Sequence, residues 1–155
     1  MKQTPELDRY QHNMRPGCIT LKGMLGSDHR NLQDILIDDD AEVRRLGTTH
    51  EAIAARMQEL HDEGVRGLGE PITVPDHYLV RVDSVRGKLP CPFEDAVVQK
   101  TFVQVENKST GKTITYTDLH MHMIKEHGFY EGHGSGFRLP PADLVEILEV
   151  PPVTP

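Results

Sequence analysis

Apolar residues recur at helical spacing most clearly between residues 49 and 63. They form one face of the predicted helix: Ile53, Met57 and Leu60. Spacings of four and three place such residues on the same side of a helix. Thr48 begins a Thr-x-x-Glu capping box that ends at Glu51, and Gly64 is a natural helix stop. This pattern predicts a helix over residues 49–63.

Alternating apolar and polar residues predict strands further along the chain. The run 78–85 alternates cleanly, and the short run 72–74 is β-branched at each position. Residues 97–106 and 113–117 flank the turn 107–111, which contains Asn, Ser and Gly. Because turn residues between two such runs indicate a hairpin, we expect an antiparallel pair spanning about residues 97–117.

Three further segments have helical patterns. Residues 118–127 follow Thr115 and Thr117, either of which is a suitable N-cap, and Gly128 ends the run. The Pro140–Pro141 pair is tolerated in a first turn and predicts a last helix that includes Leu148. Apolar positions between 31 and 46 are interrupted by three aspartates and predict one or two short helices.

The remaining segments define the expected domain organisation. Residues 1–16 are polar and are predicted to be an N-terminal arm, poorly ordered, while 151–155 is a Pro-rich tail. Between them we expect a single domain over 17–150, with a short strand at 18–21 and a loop at 86–92. Helices and strands occur in blocks, which favours an α+β fold with a small antiparallel sheet, in which the hairpin precedes a histidine-bearing helix and other helices flank them.

Composition narrows the function classes. The chain has 155 residues and a net charge of −7, which argues against binding nucleic acid through clustered basic side chains. It contains no apolar run of the roughly 18–20 residues that a membrane helix needs. The first residues lack the apolar core of a secretory signal, and two cysteines make no disulfide framework, so we expect a cytoplasmic protein. The composition is compatible with a homo-oligomer, and it does not identify a small-molecule ligand.

Histidine is the unusual component. Of nine histidines, four lie within fourteen residues: His120, His122, His127 and His133. On a helix, His122 and His127 are separated by about 500° of rotation and about 7.5 Å of rise, so they converge only if the last turn loosens. With Cys91, the one central thiol, they would form a divalent-metal site. Thiolate and imidazole together favour zinc.

We therefore take Cys91, His122 and His127 as the first choice of metal ligands, with His120 and His133 as substitutes. Three protein ligands would leave one coordination position for a water molecule, which zinc can acidify. The expected function is a small zinc-binding protein of unassigned biochemical role, without an assigned catalytic residue.

The segment Leu119-His120-Met121-His122 followed by His127 resembles the second half of a C2H2 zinc finger. A hairpin precedes it, as in that ββα unit. The resemblance implies that His122 and His127 are zinc ligands. The chain departs from the family because the hairpin carries no cysteines, and the nearest thiol, Cys91, lies upstream of it.

The segment Thr117–His122 also resembles the Asp-x-His-x-His opening of amidohydrolase and PHP-type metal hydrolases. A barrel of that kind needs about 200–250 residues, and only 33 residues follow His122, so that fold is excluded. If residues 118–122 were a strand, however, Asp118, His120 and His122 would share one face. The strand remains the alternative to the predicted helix.

Two other functional interpretations stay open. Cys91 could act as a nucleophile beside a histidine, or beside a zinc-bound water, in a small hydrolase or transferase. Alternatively, the histidines serve only packing in a non-catalytic interaction module. The loop Gly132–Gly136 with Arg138 could take an anionic ligand, although a flexible connector explains its glycines more simply.

Overall fold

The structure is a computed structural model that describes residues 3–153. In this part of the chain it has an α+β fold with five α-helices and a four-stranded antiparallel sheet. The helices are α1 (Pro5–Asn13), α2 (Leu32–Arg45), α3 (His50–Gly64), α4 (Asp118–His127) and α5 (Pro141–Leu148), with a 3₁₀ turn at Val65–Gly67. The strands are β1 (Ile72–Val74), β2 (Tyr78–Pro90), β3 (Val97–Asn107) and β4 (Lys112–Thr117). None of the helices within residues 3–153 has both the length and the apolar character needed to cross a membrane.

The sheet is a meander in which each strand pairs with the next one along the chain. The predicted hairpin is present, and β3 pairs with β4 from Phe102 opposite Thr117 to Asn107 opposite Lys112. The side chain of Asn107 accepts a hydrogen bond from the Ser109 amide and so stabilises the turn. Since side chains alternate across a strand, Val103 and the other buried residues of β3 face the helices.

The main core lies between this sheet face and the helices α3, α4 and α5. The predicted apolar face of α3 is fully buried there. Tyr116 on β4 donates its hydroxyl proton to the Met57 carbonyl at 2.8 Å, which ties the sheet edge to α3. Gly64 permits the close approach of α3 to the sheet, because a Cβ there would lie 2.5 Å from a Val80 methyl group.

A second apolar cluster lies between α1, α2, α4 and the segment that links β2 to β3. Its members are Met14, Met24, Leu32, Ile35, Cys91, Phe93, Leu119, Met123 and Phe129. Helix α4 contributes to both cores, with Met121 and Ile124 in the main one and Leu119 and Met123 in the second. Burial on two sides fixes the rotation of α4 about its axis, and with it the directions of its histidines.

Several predicted elements are confirmed. Helix α4 begins and ends as expected, with Thr117 as N-cap and Gly128 in the left-handed conformation at its end. The strand alternative for residues 118–122 is therefore wrong. Helix α5 follows Pro140 as predicted. The region 31–46 contains one helix, α2, so the aspartates do not divide it.

The N-terminus of α3 differs from the prediction. Thr49, not Thr48, is the N-cap, and its hydroxyl accepts a hydrogen bond from the Ala52 amide. The Thr48 hydroxyl is buried and finds no hydrogen-bond partner among the described residues. The capping box from Thr48 to Glu51 is thus wrong, because the helix starts one residue later.

Three other segments also differ. Strand β2 continues through the predicted loop to Pro90, with a register shift between Val85 and Lys88. Residues 18–21 form turns and bends instead of a strand. The predicted N-terminal arm contains α1, which Thr4 caps, while its residues 1 and 2 lie outside the described part of the chain. The tail is described to Val153, whose amide donates to the Gly47 carbonyl at 2.8 Å.

The glycine-rich loop packs closely against another backbone segment. The Gly132 amide donates to the Met24 carbonyl at 2.8 Å, and a Cβ at Gly132 would lie 2.4 Å from the Leu25 carbonyl oxygen. A Cβ at Gly26 would similarly lie 2.2 Å from the Ser135 amide nitrogen. These glycines therefore permit backbone-to-backbone contact, and the loop is a packed element of the fold.

We expect Gly132→Ala to lower the free energy of unfolding by about 1–3 kcal/mol, because the new methyl group meets backbone atoms that cannot rotate away. Gly136→Ala is the matched control in the same loop, since a Cβ there meets nothing within 4 Å in the described chain. Urea unfolding of both variants measures the difference. Equal stability of the two variants would contradict the close packing.

Candidate metal centre

A tight turn after β2 places a thiol and a carboxylate side by side. The Cys91 amide donates to the Ala96 carbonyl at 2.8 Å, and the Glu94 amide donates to the Cys91 carbonyl at 2.9 Å. Glu94 adopts the left-handed conformation, with φ of 64°, which reverses the chain within a few residues. Cys91 and Asp95, four residues apart, thereby come to the same side of the turn.

Helix α1 holds this turn from outside. The Asn13 side-chain amide donates to the Pro92 carbonyl and to the Glu94 carboxylate, both at 2.9 Å. Arg9 forms an ion pair with the same carboxylate at 3.0 Å. Phe93 is buried in the second apolar cluster. The turn is therefore anchored by polar contacts on one side and by an aromatic side chain on the other.

Helix α4 supplies two imidazoles that converge on the turn. The His122 Nε2 lies 2.9 Å from one oxygen of Asp95, and the His127 Nε2 lies 2.8 Å from the other. Phe93 stacks on the His127 ring with 4.0 Å between centroids and 11° between planes, which orients the imidazole. The two histidine rings meet edge to face at 5.6 Å.

Together these side chains form the four-residue cluster of Cys91, Asp95, His122 and His127. One potential ligand atom from each residue lies within 4.8 Å of all the others. Cys91 is buried, while the two histidine side chains are about 20% exposed. The cluster could hold a metal ion, and its donor atoms are one sulfur, two nitrogens and a carboxylate oxygen.

The carboxylate and the thiol have opposite pKa shifts. Burial opposes ionisation of Asp95, but hydrogen bonds from His122 and Cys91, and the nearby His127, prevail and lower its pKa to about 2. Burial raises the pKa of Cys91 to about 12, and the Asp95 carboxylate also raises it. Hydrogen bonds from the backbone amides of Phe93 and Asp95 lower this pKa, but by less. Near neutral pH, an ionised Asp95 thus accepts hydrogen bonds from both imidazoles and from the Cys91 thiol.

His120 has a different role from the two clustered histidines. The Thr117 amide donates to its Nδ1 at 3.1 Å, so the proton resides on Nε2, which lies 2.7 Å from the Glu131 carboxylate. Ser135 donates to the second oxygen of Glu131 at 2.8 Å. Both ring nitrogens of His120 are engaged, and His120 with Thr117 forms the capping box of α4.

His133 and Arg138 also lie outside the cluster. The backbone amide of His133 donates to Asp28 at 3.0 Å, and its ring lies 3.5 Å from Arg30. Arg138 makes a two-pronged ion pair with the buried Asp39, at 2.8 and 3.1 Å. It borders a cavity of about 340 Å³ that His120 also lines. A ligand-binding role for Arg138 stays a prediction.

Asp95 is the cluster residue that sequence reasoning missed. Acidic residues are common, and nothing in the hydropathy pattern separates this aspartate from the others. Its spacing of four from Cys91, around a Pro-containing turn between two predicted strands, is the one local signal by which it could have been found. The two histidines implied by the C2H2 resemblance do converge, but the thiol comes from the turn before β3.

Comparison of the chain with protein-family models, with curated proteins and with solved structures gave no match. The chemistry of the four clustered side chains is therefore what indicates a function.

We expect Cys91 in the metal-free protein to react with iodoacetamide at pH 7.5 at least about 100-fold more slowly than Cys18. Cys91 is buried and its pKa is raised to about 12, whereas Cys18 is exposed. Peptide mass spectrometry over a time course reads both thiols in the same molecule. Comparable rates would contradict the buried, protonated state of Cys91.

Proposed function

We propose that the protein binds one divalent metal ion, zinc by preference, at the four-residue cluster. The observation that carries this proposal is the convergence of two imidazole Nε2 atoms on one carboxylate, at 2.9 and 2.8 Å, beside a buried thiol. Hydrogen bonds now link groups that are all ordinary zinc ligands. A metal ion would replace the protons that these groups share.

The donor set favours zinc over the hard cations. Calcium and magnesium take oxygen ligands almost exclusively, whereas zinc combines sulfur, nitrogen and oxygen in a tetrahedral site. A thiolate from Cys91 and the Asp95 carboxylate also balance the charge of a divalent ion, while the histidines ligate as neutral imidazoles. A formally neutral centre suits a site whose sulfur ligand is buried, although the Asp95 side chain on its other side is 38% exposed.

The arrangement supports a structural ion. Four protein ligands complete the zinc coordination sphere, whereas catalytic zinc keeps one position for water. The adjacent cavity, of about 460 Å³, is lined by Cys91 but, among the described residues, not by Asp95 or either histidine. The ion would instead join the turn at Cys91–Asp95 to α4, and through the contacts of Asn13 it would also fix α1.

Nucleophilic catalysis by Cys91 has less support. A thiol nucleophile reacts as the thiolate and needs an exposed, electropositive setting. Cys91 is 2% exposed, and burial and the adjacent Asp95 carboxylate raise its pKa. Neither feature helps it to attack a substrate.

Metal binding is tested by titrating metal-free protein with zinc and measuring bound metal by elemental analysis. We expect one equivalent per chain and a higher Tm, since an ion that binds only the folded state stabilises it. Cobalt in place of zinc should give the absorption of a tetrahedral site with a thiolate charge-transfer band. Uptake below about a tenth of an equivalent would overturn the proposal.

Four matched variants assign the ligands. We expect Cys91→Ser and His122→Ala to weaken zinc binding by at least about 100-fold, because the first replaces a thiolate with a neutral hydroxyl and the second removes an imidazole. His133→Ala should bind zinc as the wild type does, since its ring lies away from the cluster. His120→Ala should keep the metal but lose stability, because it breaks the buried pair with Glu131. Equal zinc loss in all four variants would contradict the assignment.

The pH dependence of zinc affinity provides a second test. The pKa of Cys91 is about 12 in the metal-free protein, so the thiol must release its proton when the metal binds. Higher pH therefore favours binding, and the apparent affinity should rise at least about tenfold per pH unit. Competition with a chelator of known zinc affinity, measured at several values between about pH 6.5 and pH 8.5, gives this slope. A flat profile would exclude a thiolate ligand.

A further inference from the structure

The two cysteines of the chain line the same cavity. This cavity of about 460 Å³ lies beside the Cys91–Asp95 turn, and Asn13, Ile19 and Pro90 also border it. Cys18 is exposed, whereas Cys91 is buried. The sequence separates these residues widely, and the packing of the segment after α1 against the second apolar cluster, through Ile19, brings them to one place.

Cys91 is also the cluster residue that faces this cavity. Among the described residues, Asp95, His122 and His127 do not line it. A group that enters the cavity therefore approaches the proposed centre from the side of Cys91, which the imidazoles do not line. Cys18 is such a group, since it already belongs to the cavity wall.

We propose that Cys18 and Cys91 form a redox-sensitive thiol pair, in which a peroxide drives their joining as a disulfide and thereby expels the metal. The inference rests on the proposed function for its second half, because metal release requires a bound metal. It adds a modification site, Cys18, that plays no part in holding the ion.

The chemistry balances with hydrogen peroxide as the two-electron oxidant. The Cys18 thiolate attacks the peroxide, the O–O bond breaks, and Cys18 becomes a sulfenic acid while hydroxide leaves. The metal-bound thiolate of Cys91 then attacks the Cys18 sulfur and displaces a second hydroxide, which takes a proton to become water. One disulfide bond forms, two sulfurs are oxidised, and the metal loses its sulfur ligand.

The order of events follows from exposure. Accessible thiols oxidise first, and Cys18 is the exposed one. Metal binding keeps Cys91 as a thiolate, which is the form that attacks a sulfenic acid. A disulfide needs Cα atoms about 4.4–6.8 Å apart, so the reaction requires the turn that carries Cys18, which is exposed over residues 15–18, to bring the two cysteines within this range.

The experiment treats the zinc-loaded full chain with hydrogen peroxide. Released zinc is followed with a chromogenic chelator, and the protein is mapped by mass spectrometry without reduction. We expect one zinc released for each intramolecular Cys18–Cys91 disulfide, with a mass loss of two hydrogens. Dithiothreitol should restore both thiols and zinc binding.

Cys18→Ser is the decisive variant, since it keeps the cluster intact and removes only the first thiol. It should bind zinc with wild-type affinity and release it at least about tenfold more slowly under the same peroxide. Release at the wild-type rate, or direct oxidation of Cys91 to a sulfinic acid with Cys18 unchanged, would overturn the thiol pair.

The failure of this inference is distinct from that of the proposed function. A protein that takes up zinc but forms no Cys18–Cys91 disulfide retains the metal site and refutes the pair. A protein that takes up no zinc refutes the metal site and with it the metal-release step. In that case the mass-spectrometric disulfide map of the metal-free protein tests the thiol pair by itself, and absence of the Cys18–Cys91 disulfide overturns it.

Discussion

The Asp95 carboxylate is the interaction on which the candidate site depends. It accepts hydrogen bonds from both α4 imidazoles and from the Cys91 thiol, so these three side chains converge on one carboxylate. Charge-assisted hydrogen bonds of this kind are short and directional. They hold the donor atoms in a compact arrangement before any ion arrives, which lowers the cost of ordering them on binding.

That arrangement depends in turn on two rigid supports. Helix α4 is buried on two sides, in the main core and in the second apolar cluster, so its histidines have fixed directions. The turn is held by Asn13 and Arg9 of α1 and by the stacking of Phe93 on His127. Sites placed on such supported elements are geometrically well defined because their side chains have few alternative rotamers.

Buried polar pairs elsewhere in the molecule keep the surrounding loops in place. His120 and Glu131 are both nearly inaccessible and bridge α4 to the loop after it, while Arg138 and Asp39 connect that loop to α2. Because an unpaired charge in a buried position is costly, the fold is stable only when the two members of each pair meet. The histidine cluster of the sequence is thus divided by the fold into one pair of potential ligands, one structural residue and one exposed residue.

Local signals in the amino-acid sequence predict the regular elements correctly wherever those signals agree. Periodicity, Thr117 and Gly128 define α4, and alternation with a turn defines the hairpin, because these signals act between residues close in the chain. The sequence-based prediction is wrong at α1, where a mostly polar segment forms a helix. It is also wrong at the start of α3, where either of two adjacent threonines could be the N-cap. Only the packing of the folded chain brings Asp95 to the two histidines and Cys18 to the cavity that Cys91 also lines. Such contacts join residues distant in sequence, and their geometry is set by how helices and sheet pack, for which the local pattern carries no information.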